Sequence, residues 1–276
     1  MKPDISVTFA CLNQSRYTKA CLESVLQAGI SADQVIVVDN ASTDDTHTVL
    51  SNFPGIHVIV NRTNLGCGVA WNQGALLQQT EWTIVMNNDI VVVPGWAEEL
   101  VRSAERHNLQ LVSPAMVEGS DDYDLRAAGL QRAEQASMAL RPGHVHAVCM
   151  LVHASIWQKV GYFRASPHLL GYEDTLFFNE CRARGIRMGT VGSSWIHHYG
   201  SITQNAMRLE RGLSSRDGLG DRHNYRLLGK NRVVRKWEKF RLRQSIRQCQ
   251  TQEIATLGFS LHGQKALAEQ IRWEVY

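Results

Sequence analysis

The chain has 276 residues, of which 44% are hydrophobic and 20% charged. These are ordinary globular values and exclude wholesale disorder. The formal net charge of +3 conceals an asymmetry, since residues 1–206 hold 14 Lys and Arg against 19 Asp and Glu, whereas residues 207–247 hold 13 against 4. An acidic body therefore carries a basic segment, and we take this change of charge as the domain boundary.

Neither a membrane span nor a secretion signal is predicted. The longest apolar stretches fall short of the roughly 18 residues that cross a bilayer, and strand-like Ile5–Phe9 follows the N-terminus without a basic and apolar leader. The six cysteines are scattered, with no CxxC pair and no zinc spacing. We therefore expect reduced thiols and a cytoplasmic protein.

The first hundred residues alternate between short apolar runs and amphipathic segments, which predicts strands alternating with helices. Continuous apolar strands joined by helices are typical of a parallel sheet that is covered on both faces and binds ligands at the carboxyl ends of its strands. The predicted strands are Ile5–Phe9, Val35–Val38, Ile56–Val60 and Trp82–Met86. The predicted helices cover residues 16–28, 42–50 and 69–78, with another starting near Pro94.

The second half of the chain is less regular. Residues 114–144 are mixed and polar, and we expect an inserted loop or hairpin there. The pattern of the last residues, 248–276, predicts no element. Between these two regions we expect a buried strand over Val145–Val152, helices over Ser155–Val160 and Asp174–Arg184, and a helical segment over 206–247.

Polar residues follow three of the predicted strands. They are Asp39–Asp44, Asn64–Gly74 and Asn87–Asp89. Each cluster alone is typical of a turn with helix caps. Gly66 and Gly68 precede a helix, as in a phosphate-binding loop, but their spacing fits neither a P-loop nor a dinucleotide-binding motif. Three such clusters at one edge of a sheet indicate a ligand site.

Further motifs occur in a fixed order along the chain. The first half carries Ile5–Phe9 with Asn13, then Asp39–Asp44, the string Asn64-x-Gly66-x-Gly68-x-Ala70-x-Asn72-x-Gly74, and Met86–Asp89 followed by Pro94-Gly95-Trp96. The second half carries Cys149–Val152, Val160–Phe163, Tyr172–Asp174, Arg182–Gly185 and His197–Ser201. Over about residues 4–205 this ordered set resembles family 2 glycosyltransferases of the GT-A fold, in particular their rhamnosyltransferase-like branch.

The resemblance implies an α/β fold of the Rossmann-like GT-A type, with a mixed, mainly parallel sheet and helices on both faces. Residues 1–205 would form the glycosyltransferase domain, with a nucleotide-sugar-binding half over about 1–113 and an acceptor half over 114–205. Residues 206–276 would form a basic, mostly helical C-terminal extension.

The donor implied by the resemblance is a nucleotide-diphosphate sugar. Asp39 would accept a hydrogen bond from the imide N–H of the base, and the loop Asn64–Gly74 would bring its backbone close to the nucleotide. The implied donor-binding residues are Ala10, Asn13, Asp39, Asn64, Gly66, Asn72, Asn87 and Asn88.

The resemblance also implies a divalent cation, Mn²⁺ or Mg²⁺, at the donor diphosphate. Asp89 matches the metal carboxylate of the family's DxD-like motif, of which only this third position is acidic here. Because Asn87 and Asn88 add no charge, we expect weak metal binding without donor. His198 matches the family's late histidine, which binds the metal or pyrophosphate, and His197 is the alternate.

Glu173 and Asp174 are the implied catalytic residues. Acidic residues are also favoured in the first turn of any helix by its dipole. The resemblance makes Asp174 the general base that deprotonates an acceptor hydroxyl. In two places the chain departs from the family pattern, because Leu176 replaces another Asp and His146 lies where a Gly is common. His146 is either an acceptor contact or a structural histidine.

The predicted function is an inverting, metal-dependent glycosyl transfer to a hydroxyl acceptor in polysaccharide or glycoconjugate synthesis. A non-catalytic nucleotide-sugar-binding paralogue, a nucleotidyltransferase and a glycosyltransferase with a nucleic-acid acceptor are the alternatives. A nucleotidyltransferase would need a glycine-rich, basic loop after the first strand, and Ala10–Ser15 has no glycine. A degenerate paralogue is disfavoured because four residues persist together, namely Asp39, Asp89, Asp174 and His198.

The basic segment over residues 226–247 has two interpretations. It is either a solvated helical face whose apolar side packs on the catalytic domain, or a surface that recruits a carbohydrate or lipid-linked acceptor at an anionic membrane, with nucleic acid a less favoured ligand. In the membrane case the protein would be peripheral at the inner face. Trp237, Phe240 and Leu242 interleave with the charges, as an interfacial helix requires. The basic residues are Arg226, Lys230, Arg232, Arg235, Lys236, Lys239, Arg241, Arg243 and Arg247.

Overall fold

Apolar, β-branched runs form the central strands, as the sequence predicts. The computed structural model describes residues 3–165, 172–210 and 231–273. The strands are β1 Ile5–Cys11, β2 Val35–Asp39, β3 His57–Val60, β4 Trp82–Asn87, β5 Ile90–Val92, β6 Leu111–Gly119, β7 Leu140–Pro142, β8 Cys149–His153, β9 Met188–His198 and β10 His262–Lys265.

The helices separate these strands in the first half and flank the sheet in the second. A short 3₁₀ turn over Ala32–Gln34 precedes β2. The α-helices are α1 Ser15–Gln27, α2 Thr46–Ser51, α3 Cys67–Leu77, α4 Trp96–His107, α5 Leu125–Gln135, α6 Ala154–Lys159, α7 Glu173–Ala183, α8 Ile202–Glu210 and α9 Arg232–Leu257.

All ten strands belong to one sheet, with the order β3-β2-β1-β4-β8-β6-β9-β5, while β10 pairs with β6 and β7 with β9. The first four strands in this order are parallel, and β8 is antiparallel to both of its neighbours. The predicted mixed, mainly parallel α/β sheet is confirmed. The carboxyl ends of β1, β2 and β4 therefore lie at one edge, where the predicted polar clusters follow.

Apolar side chains cover both faces of the sheet. One cluster contains Phe9, Leu22 and Trp96, and another contains Trp71 and Phe177. Helix α3 lies very close to β1, since a Cβ on Gly74 would be 1.8 Å from the Thr8 hydroxyl oxygen. This glycine of the Asn64–Gly74 string is required for close packing of helix on strand.

The expectation of a loop or hairpin over residues 114–144 is wrong, because this region contributes most of β6, all of α5 and β7. Pro114 hides the strand from sequence analysis, because proline cannot donate a hydrogen bond to a strand ladder and so argues against a strand. The register of β6 against β9 also shifts between Pro114 and Ala115. Helix α5 has no apolar stripe, and it buries Gly129, where a Cβ would be 2.5 Å from Val93.

Other boundaries differ from the expectation by several residues. The strand expected over Val145–Val152 begins only at Cys149, and the helix expected to end near 247 continues to Leu257. Residues 211–230, which include Arg226 and Lys230 of the basic segment, lie outside the described residues. All six cysteines are free thiols.

The described C-terminal residues are joined to β6 and to Arg141 by specific contacts. Strand β10 runs parallel to β6. In the buried ion pair of Arg141 with Glu253, the guanidinium donates two hydrogen bonds of 2.8 and 2.6 Å to the carboxylate. The Ser260 hydroxyl completes this group at 2.8 Å from Glu253. Whether 205/206 is a true domain boundary stays a prediction.

Candidate active site

The loop after β2 is hydrogen-bonded to the loop after β1. The Asn13 backbone has a left-handed φ of 54°, and its N–H donates to the Ser42 hydroxyl at 2.8 Å. The side-chain oxygen Oδ1 of Asn13 accepts from the Thr43 N–H at 2.7 Å. Buried Asp39 accepts from the Ser42 N–H at 2.9 Å through Oδ1. Two predicted donor-binding residues, Asn13 and Asp39, thus shape one loop.

Asn40 is a residue that the sequence analysis did not single out. Its buried amide donates to the Asn64 side-chain oxygen at 2.9 Å and accepts from the Leu65 N–H at 3.0 Å. Asn61 donates to the Asn40 oxygen at 3.1 Å and exchanges hydrogen bonds with Gln73. This amide network joins the loops after β2 and β3. Its only signal in the sequence is the asparagine immediately after Asp39.

The glycine-rich loop lies between this network and the acidic helix α7. Ala10 pairs in register with Asn87 on β4. Gly66 precedes α3 with a left-handed φ of 88°. A Cβ on Gly68 would lie 3.0 Å from Cγ of Glu173. The first turn of α3 can therefore pack closely against Glu173 of α7, because Gly68 carries no side chain.

Two predicted donor-binding asparagines have amides that bind the protein itself. The Asn72 amide exchanges hydrogen bonds of 2.7 and 2.9 Å with the backbone of Phe163. The buried Asn88 amide donates to the Thr18 hydroxyl at 2.9 Å. Both contacts fasten distant segments to the sheet edge, and a direct contact of either residue with a donor stays a prediction.

Asp89 and His198 meet at the end of the sheet, although 109 residues separate them in the sequence. The Asp89 Oδ1 atom is 3.4 Å from the Nε2 atom of His198, and both side chains are buried. Asp89 Oδ2 accepts from the Ile202 N–H at 3.1 Å. On the other side of the ring, His198 Nδ1 is 3.0 Å from Oε2 of Glu118 on β6. The sequence analysis missed Glu118 because it expected no strand there.

The two carboxylates stabilise a charged histidine. Burial alone would lower the pKa of His198, but the contacts with Asp89 and Glu118 raise it to about 9. Burial alone would raise the pKa of Asp89, but the contact with His198 and the Ile202 N–H lower it. The contact with His198 likewise lowers the pKa of Glu118.

His197, the alternate metal residue, faces away from this group because neighbouring residues of a strand point to opposite faces. Its ring is buried, and Nδ1 is 3.1 Å from the Tyr123 hydroxyl. Burial lowers the pKa of His197 to about 4. The structure thus brings His198, and not His197, together with Asp89.

A cleft of about 1240 Å³ opens beside these residues. Asn87 and His198 line it at the sheet edge, and Glu173 and Asp174 line it from the first turn of α7. Asp174 Oδ1 accepts from the Thr175 N–H at 2.6 Å. Burial raises the pKa of Asp174 against the effect of this hydrogen bond, as suits a carboxylate that takes up a proton.

The cleft is closed on its far side by helix α9 and by the segment before β8. Arg235, Lys239 and Leu242 of α9 line the cleft, as does His146. His146 Nε2 is 2.8 Å from the Pro114 carbonyl oxygen, and burial lowers its pKa to about 3. Burial therefore keeps this histidine neutral while the Pro114 contact positions it, and an acceptor contact of His146 stays a prediction.

The residues of this edge fit a divalent cation that completes its coordination with donor oxygens. Among the described residues, no three His, Cys, Asp or Glu side chains form a full metal-binding group. Asp89 and His198 offer one carboxylate and one imidazole next to the cleft. Mn²⁺ and Mg²⁺ sites commonly use one or two carboxylates, with substrate phosphates and waters in the other positions.

The fold is that of GT-A glycosyltransferases. The TarS structure from S. aureus (residues 1–349), also solved in complex with UDP-GlcNAc, aligns with 75% of this chain and 64% of its own at a TM-score of 0.55 and 16% identity. GalNAc-T7 with UDP, GalNAc and Mn²⁺ aligns with 71% of this chain and 44% of its own at a TM-score of 0.54 and 15% identity. At these identities the likeness concerns the fold alone.

The chain belongs to Glycosyl transferase family 2, whose sequence profile matches residues 6–170. The succinoglycan biosynthesis protein ExoO of Rhizobium meliloti is 27% identical over 178 residues, which are 63% of this chain and 47% of ExoO. The chain thus spans about half the length of this curated relative. The predicted family is confirmed, whereas the rhamnosyltransferase-like branch stays a prediction.

Proposed function

We propose that this protein transfers a sugar, with inversion, from a nucleotide-diphosphate sugar to a hydroxyl acceptor in polysaccharide or glycoconjugate synthesis. The observation that carries the proposal is that Asp174 on α7 and His198 at the sheet edge line one cleft, and that His198 Nε2 is 3.4 Å from Oδ1 of Asp89 behind it. Asp174 can accept the proton of an acceptor hydroxyl, and Asp89 with His198 can hold the cation that binds a diphosphate. ExoO, by its name, acts in succinoglycan biosynthesis, which favours a polysaccharide product.

In the proposed reaction, Asp174 takes the proton of the acceptor hydroxyl as that oxygen bonds to the anomeric carbon. The bond from this carbon to the diphosphate oxygen breaks in the same step, and the electron pair leaves with the nucleoside diphosphate. Attack from the face opposite the leaving group inverts the anomeric carbon. Asp39, Asn13 and the glycine-rich loop would hold the nucleotide, so that the sugar faces the cleft.

Asp89 and His198 would hold Mn²⁺ or Mg²⁺ in this mechanism. The bound cation would neutralise the charge that develops on the leaving diphosphate. GalNAc-T7 was solved with UDP and Mn²⁺, which supports the same use here. The amides Asn87 and Asn88 precede Asp89 where a second carboxylate is absent. We therefore expect the cation to bind together with the donor.

The released nucleotide tests the proposal. Wild-type protein incubated with Mn²⁺ and a panel of UDP-, GDP- and TDP-sugars should release the nucleoside diphosphate from one of them, and the same sugar should raise the Tm. Release of pyrophosphate would instead identify a nucleotidyltransferase. Donor-dependent stabilisation without any turnover, over a panel of sugar acceptors, would favour a non-catalytic binding protein.

We further propose that helix α9 docks on an anionic membrane. Val233, Trp237 and Phe240 are spaced as one face of a helix, and they are 75, 56 and 59% exposed. Exposed Lys236 and Arg243 lie along one side of this face, and exposed Arg241 lies on the other side. An apolar stripe between cations is typical of an interfacial helix. Among the described residues, no helix combines the length and hydropathy of a membrane span.

Removing two charges tests the docking proposal. Lys236→Gln with Arg243→Gln should weaken cosedimentation with phosphatidylcholine vesicles containing phosphatidylglycerol by at least about tenfold, since each cation contributes about 1 kcal/mol. A matched control, Arg62→Gln with Arg187→Gln, neutralises two exposed cations on the catalytic body and should bind like wild type. If the wild-type protein does not cosediment with these vesicles at low salt, docking on an anionic membrane is refuted. If it binds DNA or RNA instead, the nucleic-acid alternative is favoured.

A further inference from the structure

The imidazole of His198 lies between two carboxylates that come from different parts of the chain. Strands β6 and β9 are parallel neighbours, and their register places Glu118 opposite His198. The ring approaches Glu118 with Nδ1 at 3.0 Å and Asp89 with Nε2 at 3.4 Å. One ring nitrogen is therefore held by Glu118, and the other is directed at the predicted metal carboxylate.

The side chain of Glu118 is more exposed to solvent than those of Asp89 and His198. The side chains of Asp89 and His198 are 5 and 4% exposed, whereas that of Glu118 is 31% exposed. The backbone passes close to it at Gly200, where a Cβ would be 3.6 Å from Cγ of Glu118 and φ is 91°. The glycine allows the chain to turn beside Glu118, so that the Ile202 N–H reaches Asp89.

The hydrogen bond to Glu118 decides which nitrogen of His198 can bind a ligand. An imidazole that donates from Nδ1 to a carboxylate presents the lone pair of Nε2 when it acts as a metal ligand. The same bond fixes the ring orientation, and loss of such a partner typically weakens metal binding about 10- to 100-fold. Without Glu118, the His198 ring would lose the contact that orients it.

We propose that Glu118 is a positioning residue, which holds His198 so that Nε2 faces the cation beside Asp89. The inference rests on the metal-dependent function proposed above. Glu118 itself touches neither cation nor donor in this proposal. It acts only through the ring of His198, and its role is separate from that of Asp174 across the cleft.

Metal affinity, measured apart from turnover, tests this role. The dissociation constant of Mn²⁺ would be measured by electron paramagnetic resonance with saturating UDP or GDP, whichever the wild type binds. Glu118→Ala should raise this constant about 10- to 100-fold. Glu118→Gln retains an oxygen that accepts from Nδ1–H and should recover most of the loss. Exposed Glu105 on α4 supplies the control, since Glu105→Ala makes the same change of charge and should bind Mn²⁺ like wild type.

The outcomes separate this inference from the function on which it rests. Wild type that binds no Mn²⁺ with any nucleoside diphosphate would refute the metal-dependent function itself. If wild type binds Mn²⁺ and Glu118→Ala binds it within about threefold of wild type, the positioning role is wrong and the function stands. If Glu118→Gln binds as weakly as Glu118→Ala while both keep the wild-type Tm, positioning by a hydrogen bond is also wrong.

Discussion

Replacing Asp174 by asparagine should lower kcat by at least about 10²-fold, because the variant keeps the shape of the side chain but cannot accept the acceptor proton. The affinity for the donor should stay near that of wild type, since Asp174 lines the cleft from α7 while the proposed donor-binding loops follow β1, β2 and β3. Steady-state kinetics and donor titration would measure the two effects. A variant whose donor binding collapses while kcat per bound donor survives would make Asp174 a binding residue.

The same base sets a direction for the pH dependence. Burial raises the pKa of Asp174, and a general base must be deprotonated to act. Wild-type kcat should therefore fall as the pH drops through this raised pKa, and the acidic limb should vanish in Asp174→Asn. Asp33 is an exposed carboxylate beside β2, so Asp33→Asn serves as the matched control and should keep the wild-type profile. Glu173→Gln tests the other implied catalytic residue in the same assay.

Replacing Asp89 by asparagine should abolish the stimulation of donor turnover by Mn²⁺ or Mg²⁺, a loss of about 10²-fold or more if the cation supplies several kcal/mol to the reaction. Asparagine is preferred to alanine because Asp89 also accepts from the Ile202 N–H. An amide oxygen can keep that bond, whereas alanine would leave a buried N–H without its acceptor.

Two measurements accompany this variant. The Tm reports whether removal of a buried charge beside His198 has unfolded the protein, which is a known cost of breaking such a pair. Wild-type activity measured in EDTA reports metal dependence without any mutation. Full activity in EDTA, or near-wild-type stimulation of Asp89→Asn by Mn²⁺, would refute the assignment of Asp89.

Much of the first half of the fold could be predicted because strands β1, β2 and β4 are buried at almost every position. Val35–Asp39 is buried at every position, so a continuous apolar run was a reliable signal. Strand β6 gave no such signal, since Pro114 interrupts its apolar run and the charged Glu118 lies within it. Strand β10 is short and polar, and its pairing with β6 depends on a partner that the sequence analysis had not recognised. Tertiary context decided both strands.

The candidate site was predictable in part for the same reason. Asp89 follows the apolar strand β4, and Asp174 lies in the acidic first turn of helix α7, so both stand at recognisable element ends. Asn40 and Glu118 could not be found in this way. An isolated asparagine or glutamate carries no periodicity, and its importance depends on a partner far along the chain, such as His198.

The pairing of β10 with β6 has a consequence for how the protein is made. The Gly119 backbone lies against Lys265, where a Cβ on the glycine would be 2.0 Å from the lysine carbonyl oxygen. Strands β1 to β4 involve mostly neighbouring segments and can assemble while the ribosome is still at work. The pairing of β6 with β10 beside Glu118 cannot form until residue 265 has left the ribosomal exit tunnel. The site therefore closes only after β10 has been made, and until then the Met116–Gly119 part of β6 presents an unpaired edge to other chains in the cell.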